Sequence, residues 1–587
     1  MERVYTILVG ENDRSDEQIA ARTAALREMG MEQRAAWTNV RVFASLQTPT
    51  LPLPSGGLLI GEIYSKNGAP VYEASDLGLR SDGHDIVRRI FDEFWGDYVI
   101  ALPDPGISGA VSVTRSPSHA CAMECIYSFE DGKGFFTSDV TIATRLGICE
   151  RRVDYAHLAN SLIRSDLKTR STGLADVSEL LPGHTLSVSG MQTNLVSDWD
   201  PFAFVRPEVR VDDREDAISS VRRAVEMVVG AWAGQDRSVL LELSGGLDSS
   251  IVGACLRGTA ARVACATVTS SSPGADECDY AQLVAALLGA ETTAVEMDYD
   301  AAPFEFALPR QSVVPVIGAL QNAVDVLMQR SATQAGATTY FSGAGGDTVF
   351  CYLPNAAPAA DAFRSAGATA GFEAIQDLST FHQCTFWKAA RLTWRQLTQP
   401  RQAYVEEDRS LILAGLASPT AERNPWLDAP IDALAGDRLR IFGLSTALFY
   451  QQSCPRGLER NLRMPLLSQP VIEACLRVPS WMWFQGGHNR SIARAAFADV
   501  LPSRILLRKS KGSLSAFLGA LYRRRRSEML SFLLDGELTA RGILDADALR
   551  AIRRQGSEQA GANFARVFRI CAVENWVRQQ SSAQSSL

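Results

Sequence analysis

The stretch Val239-Leu-Leu-Glu-Leu-Ser-Gly-Gly-Leu-Asp-Ser-Ser250 decides the fold of this chain. Its first part, Val239 to Leu243, is an apolar run typical of a buried strand, and residues 251–257 are compatible with a helix. Between them lie two glycines, which let the backbone turn and approach a ligand closely. We expect Ser249 and Ser250 to cap the helix, whose N-terminus attracts anions. The stretch therefore predicts a strand, an anion-binding turn and a helix.

Asp248 adds a carboxylate to this turn and makes it suitable for a nucleotide. A carboxylate beside bound phosphates suits a bridging Mg²⁺ ion, so the turn predicts a site for the pyrophosphate end of ATP. The turn is not a Walker A loop, because the Gly-Lys-Ser/Thr ending of that loop is missing. The alternative interpretation is a glycine-rich connection with no role in binding.

The segment Thr338-Thr-Tyr-Phe-Ser-Gly-Ala-Gly-Gly-Asp-Thr-Val-Phe350 repeats this design. The first turn resembles the Ser-Gly-Gly-x-Asp-Ser loop of the ATP pyrophosphatases, and the second resembles a nucleotide loop of the asparagine synthetase family. The resemblance implies that Asp347 joins Asp248 around Mg²⁺ as a metal ligand and catalytic residue. The nucleotide-binding residues predicted in the two turns are Ser244, Gly245, Gly246, Leu247, Asp248, Ser249, Ser250, Ser342, Gly343 and Gly346.

The composition is that of a soluble globular protein. The chain has 587 residues, of which 46% are hydrophobic, and a net charge of −8. That length allows several domains with large cores, and no basic patch dominates, so we expect no nucleic-acid partner. Neither a signal peptide nor an apolar run long enough to span a membrane is evident. With scattered cysteines, we expect a cytoplasmic protein with reduced thiols and no membrane partner.

The pattern of apolar runs divides the chain into two parts. Residues 1–206 are β-rich, with short strands separated by Gly, Pro, Asp and Ser turns. From about residue 207 strands alternate with helices, which indicates a parallel sheet whose ligands bind at the carboxyl ends of its strands. From about residue 363 the pattern is mostly helical. We therefore predict an α/β protein with domains at 1–206 and 207–587.

The first domain resembles the glutamine amidotransferase domain of asparagine synthetases. The resemblance rests on Phe94-Trp-Gly-Asp-Tyr98, Val113-Thr-Arg-Ser116 and Phe135-Phe-Thr-Ser-Asp139, and it implies an Ntn-type αββα fold. A working domain of this kind needs a cysteine directly after the initiator methionine, and here that residue is Glu2. We expect a degenerate domain, without its nucleophile, that serves as a scaffold or docking surface.

The second domain resembles the synthetase domain of the same family, an ATP-pyrophosphatase (adenine nucleotide α-hydrolase-like) domain. The resemblance implies that the backbone of Val268 contacts adenine, although a plain strand position explains Val268 equally well. It also implies a catalytic, phosphate-binding lysine in Arg508-Lys-Ser-Lys-Gly512, where a cation stabilises charge on the departing pyrophosphate. Lys511 fits best and Lys509 is the alternative; a solvated basic loop is the interpretation without function.

At one position the second turn differs from the related families, and this difference argues against asparagine synthesis. Asparagine synthetases have Glu and β-lactam synthetases have Tyr at the position of Ala344, which has no acid–base function. The run Phe341–Tyr352 and the segment Asn424-Pro-Trp-Leu427 resemble the lasso-peptide macrolactam synthetases (lasso cyclases). That resemblance implies an AMP-forming ligase that uses ATP and Mg²⁺.

The lasso resemblance also implies a substrate and partners. The enzyme would adenylate an Asp or Glu side chain of the leader-free core peptide, and the peptide's N-terminal amine would then close the ring. The implied partners are the lasso precursor or core peptide, a leader peptidase and a leader-recognition protein. The alternatives are a small-molecule amide or β-lactam synthetase, asparagine synthetase-type amidation, and a non-catalytic scaffold that retains ATP binding.

Overall fold

The fold is given by a computed structural model. It describes residues 3–10, 15–54, 56–78, 86–104, 106–107, 109–119, 123–269, 277–300, 302–398, 406–416, 422–508, 515–554 and 564–584. Residue 2, Lys509 and Lys511 lie outside the described residues, so the expectations for them stay predictions. Within the described ranges no helix is long and apolar enough to cross a membrane.

Strands and helices are numbered in chain order. The strands are β1 (Tyr5–Val9), β2 (Met31–Trp37), β3 (Val40–Ser45), β4 (Thr50–Pro52), β5 (Leu58–Ser65), β6 (Phe94–Pro103), β7 (Val111–Arg115), β8 (Ile126–Glu130), β9 (Lys133–Thr137), β10 (Ser178–Glu179), β11 (His184–Ser189), β12 (Gln192–Ser197), β13 (Ser238–Glu242), β14 (Arg262–Thr269), β15 (Glu291–Glu296), β16 (Thr339–Ser342), β17 (Asn461–Arg463), β18 (Phe484–Gln485) and β19 (His488–Asn489). The α-helices are α1 (Asp16–Glu28), α2 (Ile86–Glu93), α3 (Val140–Arg145), α4 (Tyr155–Ile163), α5 (Arg214–Gln235), α6 (Leu247–Leu256), α7 (Cys278–Leu288), α8 (Ala319–Ala335), α9 (Gly346–Val349), α10 (Ala357–Ser365), α11 (Gly367–Phe381), α12 (Phe386–Thr398), α13 (Ala435–Ala447), α14 (Phe449–Gln452), α15 (Gln469–Arg477), α16 (Ser491–Ala496), α17 (Ser503–Leu506), α18 (Ser515–Leu534), α19 (Glu537–Ala540), α20 (Ala546–Arg554) and α21 (Phe564–Gln584). Short 3₁₀-helices lie at Ala74–Leu77, Pro201–Phe204, Pro207–Val209, Pro425–Leu427, Pro455–Leu458, Pro465–Leu467 and Ser480–Trp483.

Two antiparallel sheets form the N-terminal part of the chain. Their strand orders are β10-β8-β9-β1-β3-β2 and β12-β11-β7-β6-β5-β4. Alternate residues of the strands point into one shared core, where Ile7 and Val42 of the first sheet meet Ile60 and Val99 of the second. The sheets therefore pack face to face, because each buries one apolar face against the other.

Helices cover the outer faces of both sheets. On the first sheet, Leu26 of α1 and Ile142 of α3 share a core with Phe135. On the second sheet, Ile90 of α2 and Trp232 of α5 belong to the core that contains the outward-facing strand residues. The layer order is thus helix, sheet, sheet, helix, as the resemblance to an αββα domain implied.

A parallel sheet of five strands, in the order β15-β14-β13-β16-β17, organises the second part of the chain. Its central strand β13 is buried, and α6, α7 and α8 share its apolar core. Strands alternating with helices were predicted here, but β17 was not. Its three residues lie in a region expected to be helical, and they are too few to show a strand pattern.

An ion-pair cluster centred on Arg463 joins the two parts. Arg463, at the end of β17, is 3% exposed and contacts Glu62 at 2.8 Å and Asp236 at 2.9 Å. Burial alone would raise the pKa of Glu62, but the guanidinium groups of Arg463 and Arg3 lower it to about 2. The apolar core around α5 is also continuous between the parts. The boundary between residues 206 and 207 remains a prediction.

We expect Arg463→Met to lower the free energy of unfolding by about 3–5 kcal/mol, because it leaves buried carboxylates without their cation. Urea unfolding curves would measure the change. The control is Arg88→Met, since Arg88 pairs with Asp92 on the surface and its removal should cost less than about 1 kcal/mol. Equal effects of the two substitutions would contradict a central role for the Arg463 cluster.

Candidate functional site

The two predicted turns lie side by side at the carboxyl edge of the parallel sheet. Strands β13 and β16 are neighbours, with Glu242 opposite Ser342, so the turns that follow them meet. Together they line a cavity of about 320 Å³, here called the nucleotide cavity. The predicted residues in its wall are Ser244, Gly246, Leu247, Asp248, Ser249, Ser342 and Gly343. Gly346 and Asp347 line a neighbouring cavity of about 370 Å³, here called the second cavity.

The first turn is braced from within rather than capped by its serines. Helix α6 already begins at Leu247, its N-cap is Gly246, and no side chain caps it. The expectation that Ser249 and Ser250 cap the helix is therefore wrong, because both lie among the first four residues of helix α6 itself. The Ser250 hydroxyl instead donates to the Gly246 carbonyl at 2.6 Å.

Two glycines of the second turn allow it to touch the first. A Cβ atom added to Gly343 would lie 2.4 Å from the backbone nitrogen of Ser249. A Cβ atom added to Gly346 would lie 2.3 Å from Cγ of Asp248. Both positions therefore require glycine, and the close contact fixes the position of the Asp248 carboxylate.

Arg490 connects the two aspartates predicted to bind the metal. Its Nη1 atom donates to Oδ1 of Asp248 at 3.0 Å and to Oδ1 of Asp347 at 2.7 Å. Arg490 precedes α16 with a φ of +53°, a conformation that few residues other than glycine adopt. Sequence reasoning missed this residue, since a single arginine in an irregular segment has no local pattern that points to the site.

The convergence of these carboxylates fits a magnesium ion. Asp248 and Asp347 reach one cationic atom from two different turns, so their oxygens already face a common point. Mg²⁺ is usually held by one or two carboxylates together with substrate phosphates. A bound ion would neutralise phosphate charge, and these two residues would hold it beside the nucleotide cavity.

Positive charge from three arginines surrounds the nucleotide cavity, whose wall includes Arg490, Arg494 and Arg508. Arg508 donates to the Gly245 carbonyl at 3.1 Å and lies 4.0 Å above the ring of Tyr280. Burial and repulsion by Arg490 lower the pKa of Arg494 to about 10, so it remains charged at neutral pH. Guanidinium groups bind phosphate oxygens well, and the cavity therefore fits a polyphosphate.

Three of the other predicted residues are not in the wall of the nucleotide cavity, and a fourth lies outside the described residues. Val268 is near the end of β14, half-buried and paired with Val295, and is not in the wall of the nucleotide cavity. Gly245 and Ser250 belong to the first turn but not to that wall, and Ser250 is fully buried. Lys511 lies outside the described residues, so its role stays a prediction.

A parallel sheet with two glycine-rich turns, paired carboxylates and arginines at its carboxyl edge defines a nucleotide-binding α/β enzyme. The family model described as asparagine synthase matches residues 220–578. The chain therefore belongs to the asparagine synthase family. That family forms amide bonds with the use of ATP, and Mg²⁺ is typical of it, so the protein is an ATP-dependent carbon–nitrogen ligase. No curated protein matches the chain.

Two solved structures have weak similarity to the chain. One, described as the allosteric regulatory enzyme of purine biosynthesis, is 9% identical over 50% of this chain and 74% of that chain, with a TM-score of 0.20. The other is glutamine phosphoribosylpyrophosphate amidotransferase from B. subtilis complexed with ADP and GMP. It is 10% identical over 58% of this chain and 81% of that chain, with a TM-score of 0.19. Scores this low do not establish a shared fold.

We expect Gly346→Ala to lower ATP-dependent pyrophosphate release by about 100-fold, because the added methyl group displaces the Asp248 carboxylate. The control is Gly230→Ala in α5, where no atom lies within 4 Å of the added Cβ. That substitution should leave activity unchanged and stabilise the protein by about 0.4–1 kcal/mol. Normal pyrophosphate release by Gly346→Ala would show that the contact between the turns is unimportant.

Asp248→Asn and Asp347→Asn should each abolish pyrophosphate release, since neutral amides are poor ligands for Mg²⁺ beside phosphates. The rate should be measured across a range of Mg²⁺ concentrations with Asp499→Asn as the control, because Asp499 forms an exposed ion pair with Arg222. Near-native release by either site variant would remove that residue from the metal site.

Proposed function

We propose that the protein closes the macrolactam ring of a lasso peptide. In this proposal, the side-chain carboxylate of an Asp or Glu in the leader-free core peptide attacks the α-phosphate of ATP. Pyrophosphate leaves and an acyl-adenylate remains. The N-terminal amine of the same peptide then attacks the acyl carbon, AMP leaves, and an isopeptide bond closes the ring.

One observation carries the proposal: the nucleotide cavity and the second cavity share a wall that includes a residue with almost no side chain. Both cavities share Ala344, together with Ser342 and Gly343 of the second turn. The second cavity, at about 370 Å³, is large enough for the reacting ends of a peptide. The resemblance of the Phe341–Tyr352 run to lasso cyclases supports the same assignment.

The residues of the site have distinct roles in this reaction. Asp248 and Asp347 hold Mg²⁺, while the arginines of the nucleotide cavity bind the phosphates. Lys511 stabilises the negative charge that develops on the departing pyrophosphate. The main task of the protein is to hold carboxylate and amine in contact within a folded peptide, because positioning replaces an encounter in solution with an intramolecular step.

Further elements of the proposal concern the cellular setting. The substrate is a lasso precursor freed of its leader, which requires a leader peptidase and a leader-recognition protein as partners. We place the reaction in the cytoplasm. In the proposal, residues 1–206 serve as a scaffold or docking surface, and residues 207–587 perform the synthesis.

The test is pyrophosphate release by the purified protein with ATP and Mg²⁺. A synthetic leader-free core peptide should support release and lose one water in mass, whereas the same peptide with its ring-forming Asp or Glu changed to Ala should support none. Release with aspartate and glutamine but not with the peptide would return the chain to amino-acid amidation. Release with a small amino acid derivative alone would indicate a small-molecule amide or β-lactam synthetase. Absence of release with every substrate, while ATP still binds, would indicate a scaffold.

A further inference from the structure

Opposite charges dominate the two adjoining cavities. Among the described residues, the wall of the nucleotide cavity contains three arginines and two carboxylates, Glu242 and Asp248, whereas the wall of the second cavity contains one arginine, Arg456. The carboxylates in the wall of the second cavity are Glu242, Asp248, Asp325 and Asp347. A cavity lined in this way attracts a cation, and a cation such as a protonated amine is repelled by the arginines next to it. The two reactants therefore meet distinct electrostatic environments.

Glu242 is the carboxylate at the boundary between the cavities. It is the last residue of β13, it lines both cavities, and its side chain is 28% exposed although the three residues before it are buried. Its Oε2 atom accepts from Nη2 of Arg456 at 2.8 Å. Among the described residues, Arg456 is the one that forms an ion pair or hydrogen bond with the Glu242 side chain. That contact is made through Oε2, so Oε1 takes part in no such interaction with a described residue.

Arg456 fixes Glu242 without cancelling its charge. Arg456 is 3% exposed, and its Nη1 atom also contacts Asp325, which in addition accepts from the Arg456 backbone N–H at 2.7 Å. One guanidinium group thus pairs with two carboxylates, and the three side chains together keep a net negative charge. Because Asp325 is the more deeply buried of the two, Glu242 is the one that presents this charge to the cavities.

We propose that Glu242 binds the attacking amine and takes its proton. This assignment rests on the proposed function for the identity of the amine, the N-terminus of the core peptide. A free α-amine has a pKa of about 7.7–8.0 and is largely an ammonium ion at neutral pH, so it cannot attack until a proton leaves. Glu242 and Ala344 both line both cavities. Ala344 has no acid–base group, so Glu242 supplies that group at the shared wall.

Glu242 accepts a proton before the isopeptide bond forms. The ammonium group gives one proton to Oε1 of Glu242, and the nitrogen lone pair forms the bond to the acyl carbon. The bond between that carbon and the phosphate oxygen breaks, and its electron pair leaves with AMP. The second proton on the former amine nitrogen is released to water, and Glu242 loses its own proton to water before the next cycle.

The charged groups that face Glu242 are consistent with this role. Arg456 and Asp325 form its support, and Asp248 and Asp347 are engaged with Arg490 across the cavity. Burial raises the pKa of Asp325 to about 6, with Arg456 opposing the rise. Burial likewise raises the pKa of Cys454 to about 11, so that thiol stays neutral. Tyr450, from α14, completes the titratable wall of the second cavity.

The test separates adenylation from amine attack. Hydroxylamine, which is a neutral nucleophile at neutral pH, traps an acyl-adenylate as a hydroxamate without needing a base. With the N-acetylated form of the synthetic leader-free core peptide, which cannot close the ring, we expect Glu242→Gln to form hydroxamate at the wild-type rate. Ring closure is measured with the unmodified core peptide. Ring closure by the same variant should fall by about 10²- to 10⁴-fold, the range typical of a lost general base.

The pH profile distinguishes proton transfer from a merely structural role. The ring-closure defect of Glu242→Gln should shrink as pH rises towards the pKa of the amine, because more of the amine is then already unprotonated. Glu242→Asp should restore part of the rate. The matched control is Glu296→Gln, since Glu296 also ends a strand of the same sheet but is exposed and lines neither cavity.

Other results would contradict either the assignment of Glu242 or the proposed function, and the two cases can be distinguished. Equal losses of hydroxamate formation and ring closure, or a defect that does not change with pH, would overturn the assignment of Glu242. If the wild-type protein forms neither hydroxamate with the N-acetylated core peptide nor ring with the unmodified one, the lasso assignment fails. The assignment of the peptide N-terminus as the attacking amine then fails with it. An N-acetylated core peptide, which should yield hydroxamate but no ring, confirms that the two readouts are independent.

Discussion

The contact between the turns after β13 and β16 is the constraint on which the site depends. Parallel pairing of these two strands brings Ser249 against Gly343 and Asp248 against Gly346, with no room for a side chain on either glycine. Asp248 lies in α6 and Asp347 in α9, yet both contact Nη1 of Arg490, because the turns that follow β13 and β16 pack against each other. A rigid pairing at the centre of a sheet thus sets the geometry of a site composed largely of loop residues.

The different charges of the two cavities beside the second turn determine where each reactant binds. Phosphates are anions and an attacking amine begins as a cation, so a single cavity cannot attract both equally well. An excess of arginines in the wall of the nucleotide cavity and an excess of carboxylates in the wall of the second cavity allow each reactant to bind where it is favoured. Glu242 and Ala344 stand at the shared wall, where the acyl carbon must meet the amine.

Much of this arrangement could be predicted from the sequence, because it follows from local patterns. An apolar run before a Ser/Gly turn and an aspartate identifies both turns and the sheet edge to which they belong. The capping role given to Ser249 was wrong since the helix starts two residues before it, a shift that propensities do not resolve. Arg490, Arg456 and strand β17 were missed because their partners are distant in sequence. Glu242 was visible in the first motif, but only the cavities on its two sides distinguish it from an ordinary strand end.

The Arg463 cluster has a consequence for the history of such a chain. Glu62 of the first part and Asp236 of the second share one buried guanidinium, and α5 covers the outer face of a sheet formed by earlier residues. Deleting the N-terminal part would expose that helix and remove Glu62 from the buried guanidinium group, which would keep Asp236 as a partner. Selection for the synthetase alone is then enough to preserve the N-terminal part.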